Sequence, residues 1–218
     1  MHPPTHTASP SELGLWLILA GFGVYHGLNP AMGWLFALAR GLQQENPRAV
    51  WIALVPIAIG HAASIALAAM IVLALKEFIA MNTLQTATAL MLIAFGVYKL
   101  MNWYRHPRWV GMRVSLPELA GWSFLMATAH GAGLMAAPAL LGVMEMDGLG
   151  GMSHSAGANV WLAVSIHTLA MLLTMAIIAW VVYRRLGLMV LRTGWVNFDL
   201  IWSVALLFVG GIAFVTAI

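Results

Sequence analysis

The sequence predicts an all-α integral membrane protein: six transmembrane helices arranged as two inverted three-helix repeats, with both termini outside. Three observations lead there. Of the 218 residues, 62% are hydrophobic and only 8% are charged, where a soluble domain carries about 25% charge. So little charge cannot cover a water-facing surface, which excludes a soluble enzyme, a nucleic-acid binder and a secreted disulfide scaffold; Cys is absent altogether. Six charge-poor stretches follow one another, each long enough to cross about 30 Å of hydrocarbon. The Lys and Arg residues collect on one side of those stretches.

Taken in order, residues 1–12 hold His2, Pro3, Pro4, His6 and Pro10 but no Lys or Arg. They lack the basic n-region of a cleaved signal peptide and read as a short mobile outer arm. The spans are 13–39, 50–75, 78–98, 119–143, 157–183 and 195–217, which leaves no room for a soluble domain, so 1–218 is one transmembrane domain. Loop punctuation separates them at Gln43-Gln44-Glu45-Asn46-Pro47, Arg105-His106-Pro107-Arg108 and Asp147-Gly148-Leu149-Gly150-Gly151. Arg40, Arg48, Lys99, Arg105, Arg108, Arg113, Arg184, Arg185 and Arg192 follow the odd-numbered spans, against Lys76 alone on the other side. A nine-to-one split places the odd-numbered loops in the cytoplasm. The expected location is therefore the plasma (inner) membrane, multi-pass, and Trp51, Trp103, Tyr104, Trp109, Trp161, Tyr183 and Trp195 sit where an interfacial aromatic belt belongs.

The repeat rests on two His-Gly pairs. His26-Gly27-Leu28-Asn29-Pro30 in the first span answers His130-Gly131 in the fourth, and Gly60-His61 in the second answers His167 in the fifth. His26 to His61 is 35 residues and His130 to His167 is 37. Repeat 1 covers about 13–101 and repeat 2 about 119–217. Three spans per half is odd, so the halves insert upside down relative to each other, and such folds place a substrate site at the repeat interface near the midplane.

His26, His61, His130 and His167 are the fourteenth, twelfth, twelfth and eleventh residues of their spans. At 1.5 Å rise per residue, all four are expected at one depth near the midplane. A lone His in a membrane helix is ordinarily an interhelical packing residue. Four at one depth mark an ion path or a proton relay instead, and imidazole is the commonest protein ligand for transition metals. Asn29-Pro30 removes a helical hydrogen bond and breaks the first span; Gly131, Gly133 and Pro138 stand at the matching place. Asp199, near the cytoplasmic end of the sixth span, is the only carboxylate plainly within a span. A carboxylate-rich Mg²⁺, Ca²⁺ or Mn²⁺ site is thereby disfavoured, leaving Ni²⁺, Co²⁺, Zn²⁺ or Cu. Asn29, Met32 and Met135 are weaker ligand candidates, the two Met as thioether donors to Cu(I) or as ordinary core fillers. The outer loop after the fourth span, Met144-Glu145-Met146-Asp147 and Met152-Ser153-His154, with His2 and His6, forms either a collecting surface for a soft cation or a plain solvated acidic loop.

Through His26-Gly27-Leu28-Asn29-Pro30, His130-Gly131 and Gly60-His61 the chain resembles the LysE-like transporter superfamily, and within it the nickel/cobalt (NicO-type) branch. The resemblance implies six helices in inverted three-helix halves and cation transport. Asn29 stands where an acidic residue is common in that branch, no second His follows closely, and a His-rich cytoplasmic loop is lacking. The expected function is thus a transporter for a transition-metal cation and not an enzyme, with lipid and the metal cation as partners and no nucleic acid. A homo-oligomer or a larger membrane complex is left open. The alternatives are a bis-His haem protein, with haem as cofactor, and a non-catalytic membrane subunit whose His cluster only packs.

Overall fold

Helices account for almost all of the residues described by the computed structural model, which are 10–102, 114–149, 155–186 and 197–218, and no strand occurs among them. Helix α1 (Pro10–Leu28) is followed by a single 3-10 turn (Pro30–Met32) and α2 (Trp34–Gln43). Then come α3 (Pro47–Leu75), α4 (Met81–Met101), α5 (Leu116–Ala129), α6 (Ala132–Leu149), α7 (Ser155–Val181) continuing as a π turn (Val182–Leu186), and α8 (Phe198–Ala217). Among the described residues, four helical stretches are long and apolar enough to cross a membrane: Pro47–Leu75, Met81–Met101, Ala158–Arg185 and Phe198–Ala217. The α5–α6 pair, bent by 67° over Leu116–Ala129 and Ala132–Glu145, makes a fifth if it counts as one broken span. Leu13–Leu28 is apolar but shorter. Leu17, Val55, Ile59, Leu173, Ile177, Phe208 and Val215 point outward from α1, α3, α7 and α8, an apolar exterior suited to lipid and not to water.

Several boundaries differ from those the sequence suggests. The segment expected as a first span is two helices, because Asn29 leaves the helical conformation and caps the 3-10 turn through the Ala31 N–H, at 3.0 Å. Gly33, at φ +126°, then turns the chain into α2. The segment expected as a fourth span breaks at His130-Gly131, where Gly131 takes φ +69°. Past that break, α6 runs on to Leu149, so Met144-Glu145-Met146-Asp147 is helical and not loop. The segment holds no Pro after Pro138, and its glycines crowd only at Gly148 and Gly150-Gly151. Pro10–Glu12, assigned to the outer arm, already belong to α1, since Pro suits a first helical turn. The rest of that arm with His2 and His6, together with His154, Arg105, Arg108, Arg113 and Arg192, lies outside the described residues.

Small residues decide which helices meet. A methyl group on Gly23 would overlap the His167 carbonyl oxygen, and one on Gly60 would overlap that of Ala120. These contacts lock α1 against α7 and α3 against α5 at backbone distance, as small residues do between apolar helices. Helices α4 and α8 meet reciprocally. A methyl on Gly96 would come within 2.9 Å of Leu207, and one on Gly210 within 2.9 Å of Ile93. Ile93 and Leu207 each stand three residues before the glycine of their own helix.

The α5 start carries a capping box. Ser115 Oγ accepts from the Glu118 N–H at 3.4 Å, while the Ser115 N–H donates to Glu118 Oε2 at 2.7 Å. Ser115→Ala is expected to lower stability by about 1 kcal/mol, read as a drop in the Tm of the detergent-purified protein.

Candidate functional site

Along α3 the buried face reads Ile57, His61, Ile65, and along α7 it reads Val164, His167, Met171. Ile65 and Val164 belong to one apolar cluster with Leu19, Ala69 and Leu140. Ile57 and Met171 belong to another with Met32, Trp34, Met135 and Trp202. His61 and His167 therefore form a polar layer between two separate apolar cores. His26 joins them from the last turn of α1, and all three rings are 0% exposed.

The rings of His61 and His167 lie parallel, 5.5 Å apart, with Nε2 facing Nε2 at 3.3 Å. His26 packs edge-on against both, its ring 5.4 Å from that of His61 and 4.9 Å from that of His167. Backbone carbonyls assign the tautomers. His26 Nδ1 donates to Phe22 O at 2.6 Å, and His167 Nδ1 donates to Leu19 O at 3.2 Å. In a neutral ring whose Nδ1 carries the proton, Nε2 is a bare lone pair. His61 Nε2–H must then be the donor to His167 Nε2, which leaves His61 Nδ1 as a lone pair. Among the described residues, two nitrogens of this layer, His26 Nε2 and His61 Nδ1, are buried without a hydrogen-bond partner, as are Tyr25 OH, Trp122 Nε1 and Thr168 Oγ1 elsewhere. Buried polar atoms are nearly always paired, so each such exception calls for an explanation.

His130 is not part of this contact. It caps the end of α5 with Nδ1 donating to Met126 O at 2.9 Å, and its Nε2 stands 3.8 Å from Asp199 Oδ1 in the first turn of α8. Trp202 connects the two groups: its ring lies 4.6 Å from that of His26 and 5.6 Å from that of His130. Of the four histidines expected at one depth, three touch one another and His130 stands apart from them beside Trp202. Helix α5 ends at His130 itself and delivers the ring to α8, not into the layer that α3 and α7 share.

The weaker candidates have other engagements. Asn29 is buried and spends its side-chain oxygen on the turn it caps. Met32 and Met135 are buried in the apolar cluster around Trp202. Met135 also lines an apolar cleft of about 550 Å³ with Phe22, Tyr25 and Pro138.

Each break exposes the carbonyls of a helix end, and an indole answers each one. Trp34 Nε1 donates to Leu28 O at 3.3 Å, and Trp202 Nε1 donates to His130 O at 2.6 Å. A helix C-terminus carries about half a negative charge. The ends of α1 and α5 therefore bring negative potential to either side of Trp202, where carboxylates are scarce. Sequence reasoning left Trp202 and Asp199 out of the site. Their signals were an indole inside a span instead of at its boundary, and a lone acid in a span.

Among the described residues no group of three His, Cys, Asp or Glu side chains is disposed to hold a metal ion as it stands. The 3.3 Å between His61 Nε2 and His167 Nε2 nevertheless matches the roughly 3.3–3.4 Å between two nitrogens bound about 2.0–2.1 Å from one tetrahedral ion. Comparison with protein-family models, with curated proteins and with solved structures finds no match.

Proposed function

We propose that this protein is a membrane transporter of a transition-metal cation, with His26, His61 and His167 as the central site. The observation that carries the reading is the pair of unpartnered, fully buried ring nitrogens beside the His61–His167 contact. His26 Nε2 offers an ion a lone pair, and His61 Nδ1 can receive the proton that His61 Nε2 would have to give up. The carbonyls of Phe22 and Leu19 hold Nδ1 of His26 and of His167 and fix each ring so that Nε2 would be the atom offered to a metal. Taking up an ion requires the proton shared between His61 and His167 to shift to His61 Nδ1. That competition between ion and proton suits a carrier that must also release its cargo.

Six spans are part of the proposal, with α1–α2 as a broken first span and α5–α6 as a broken fourth. The pairings α1 with α7, α3 with α5 and α4 with α8 are those a two-fold relating the first three spans to the last three would generate. The reciprocal Gly96–Leu207 and Gly210–Ile93 contacts support the same symmetry. The nine-to-one charge split supports an orientation with both termini outside the plasma membrane. Six helices in inverted three-helix halves is also what the resemblance to the LysE-like superfamily implies. Alternating access would come from the halves rocking about the histidine layer, with the broken helix ends as the moving parts.

Elemental analysis of the purified protein tests this directly. The wild type is expected to carry Ni, Co, Zn or Cu after growth in supplemented medium. A variant with His26, His61, His130 and His167 all replaced by Ala is expected to carry at least about tenfold less. Equal metal in both would end the proposal. An absorbance spectrum weighs the haem alternative, since three rings in mutual contact leave no slot for a porphyrin between them. An intense Soret band from the wild type would favour haem over a free ion.

A further inference from the structure

We propose that His130 and Asp199 form a second cation station, separated from the three-histidine site by Trp202 and selective for a divalent ion. The inference rests on the reading of the histidine layer as a cation site and extends it to the path leading there. His130 is buried, its Nδ1 is held by the Met126 carbonyl, and its Nε2 stands in ion-pair range of the Asp199 carboxylate, where a bound cation would take the place of a proton between the two. The 3.8 Å between Nε2 and Oδ1 is too long for a direct hydrogen bond. Two donors bound about 2.1 Å from a shared ion stand about 3.4 Å apart at the tetrahedral angle and about 4.2 Å apart when opposite. The observed gap falls inside that range.

The surroundings suit a staging point. The Asp199 side chain is 25% exposed, whereas the three histidine rings beyond Trp202 are wholly enclosed. An ion can therefore meet the carboxylate before it meets the layer. The end of α5 adds the partial negative charge of its carbonyls. Lys99 lies within electrostatic reach of the same carboxylate, with its ammonium 5.9 Å from the Phe95 ring that packs on Gly131. An arriving cation competes with Lys99 for Asp199, which keeps the station weak enough to empty. One imidazole and one carboxylate select borderline divalent ions such as Ni²⁺, Co²⁺ or Zn²⁺ over soft, monovalent Cu(I). Asp199 also supplies the anionic charge that a set of neutral imidazoles lacks. In the proposed orientation the station lies on the cytoplasmic side.

Titration of the full-length protein in detergent with Co²⁺, followed by its d–d absorbance and by calorimetry, separates the two sites. The wild type is expected to bind two Co²⁺. Asp199→Asn and His130→Gln are each expected to weaken one of them at least about tenfold and to spare the other. His167→Gln is expected to do the reverse. Wild-type titrations from both Asp199→Asn and His130→Gln would overturn the station and leave the three-histidine reading standing. A single Co²⁺ lost equally in Asp199→Asn and His167→Gln would mean one joint site and would overturn it too. No Co²⁺ bound by the wild type would sink both readings together. Should Asp199→Asn fail to elute as monodisperse protein, His130→Gln is read by the same criterion, since its backbone carbonyl still holds Trp202.

Discussion

Under the proposed function, replacing His167 by Asn is expected to abolish metal retention and transport, a loss of about a hundredfold or more in affinity. His167 is the hinge of the layer. Its Nδ1 ties α7 to Leu19 O of α1, its Nε2 faces His61 on α3, and its ring touches His26. No other side chain in the layer makes polar contact with both neighbouring helices. Asn retains a donor for the Leu19 carbonyl and most of the volume, so the helix packing is expected to survive. Uptake of Co²⁺ into proteoliposomes, beside a thermal unfolding curve, checks both halves of the statement. Unchanged uptake at an unchanged Tm would show that the histidine layer is a packing device.

The largest effect on stability is expected from Gly60→Val, with Gly23→Val close behind. A Cβ at either position meets backbone of the facing helix: the Ala120 carbonyl oxygen for Gly60 and the His167 carbonyl oxygen for Gly23. A flexible side chain could swing aside, but a helix backbone can yield only by moving the whole helix. Overpacking commonly costs 1–3 kcal/mol, and a backbone obstacle belongs at or above the upper end, about 3 kcal/mol. Gly60→Val should therefore give aggregated or poorly extracted protein. Gly21→Val and Gly121→Val, where nothing stands within 4 Å of an added Cβ, should purify normally. Equal behaviour of all four on size-exclusion chromatography would contradict the helix pairings described.

The two glycines also show how far the sequence can be read. Gly23 and Gly60 are legible as small residues fit for helix contact, yet nothing local says which helix each one meets. The two breaks were legible because Asn29-Pro30 and Gly131 act on their own backbone. The continuation of α6 to Leu149 was not, since helix propensity alone does not decide whether an acidic, glycine-bordered turn stays wound. His26, His61 and His167 were legible as a group because a polar ring in an apolar span is conspicuous and spacing carries depth. His130 was legible as a fourth His within a span, but spacing does not say which helix a ring meets, and at the end of α5 its ring is turned toward α8.

Composition and charge placement, by themselves, determined an all-helical chain with an apolar exterior, because hydrocarbon demands that backbone groups be satisfied within each helix. They also determined the histidines as the unusual side chains. Only the tertiary structure decided that three of them touch, that two of their nitrogens go without partners, and that Trp202 divides them from His130 and Asp199. Position along a helix is a one-dimensional quantity that residue counting gives. Azimuth and the choice of neighbouring helix depend on which small residues let two backbones meet, and that is settled only when all the helices pack at once.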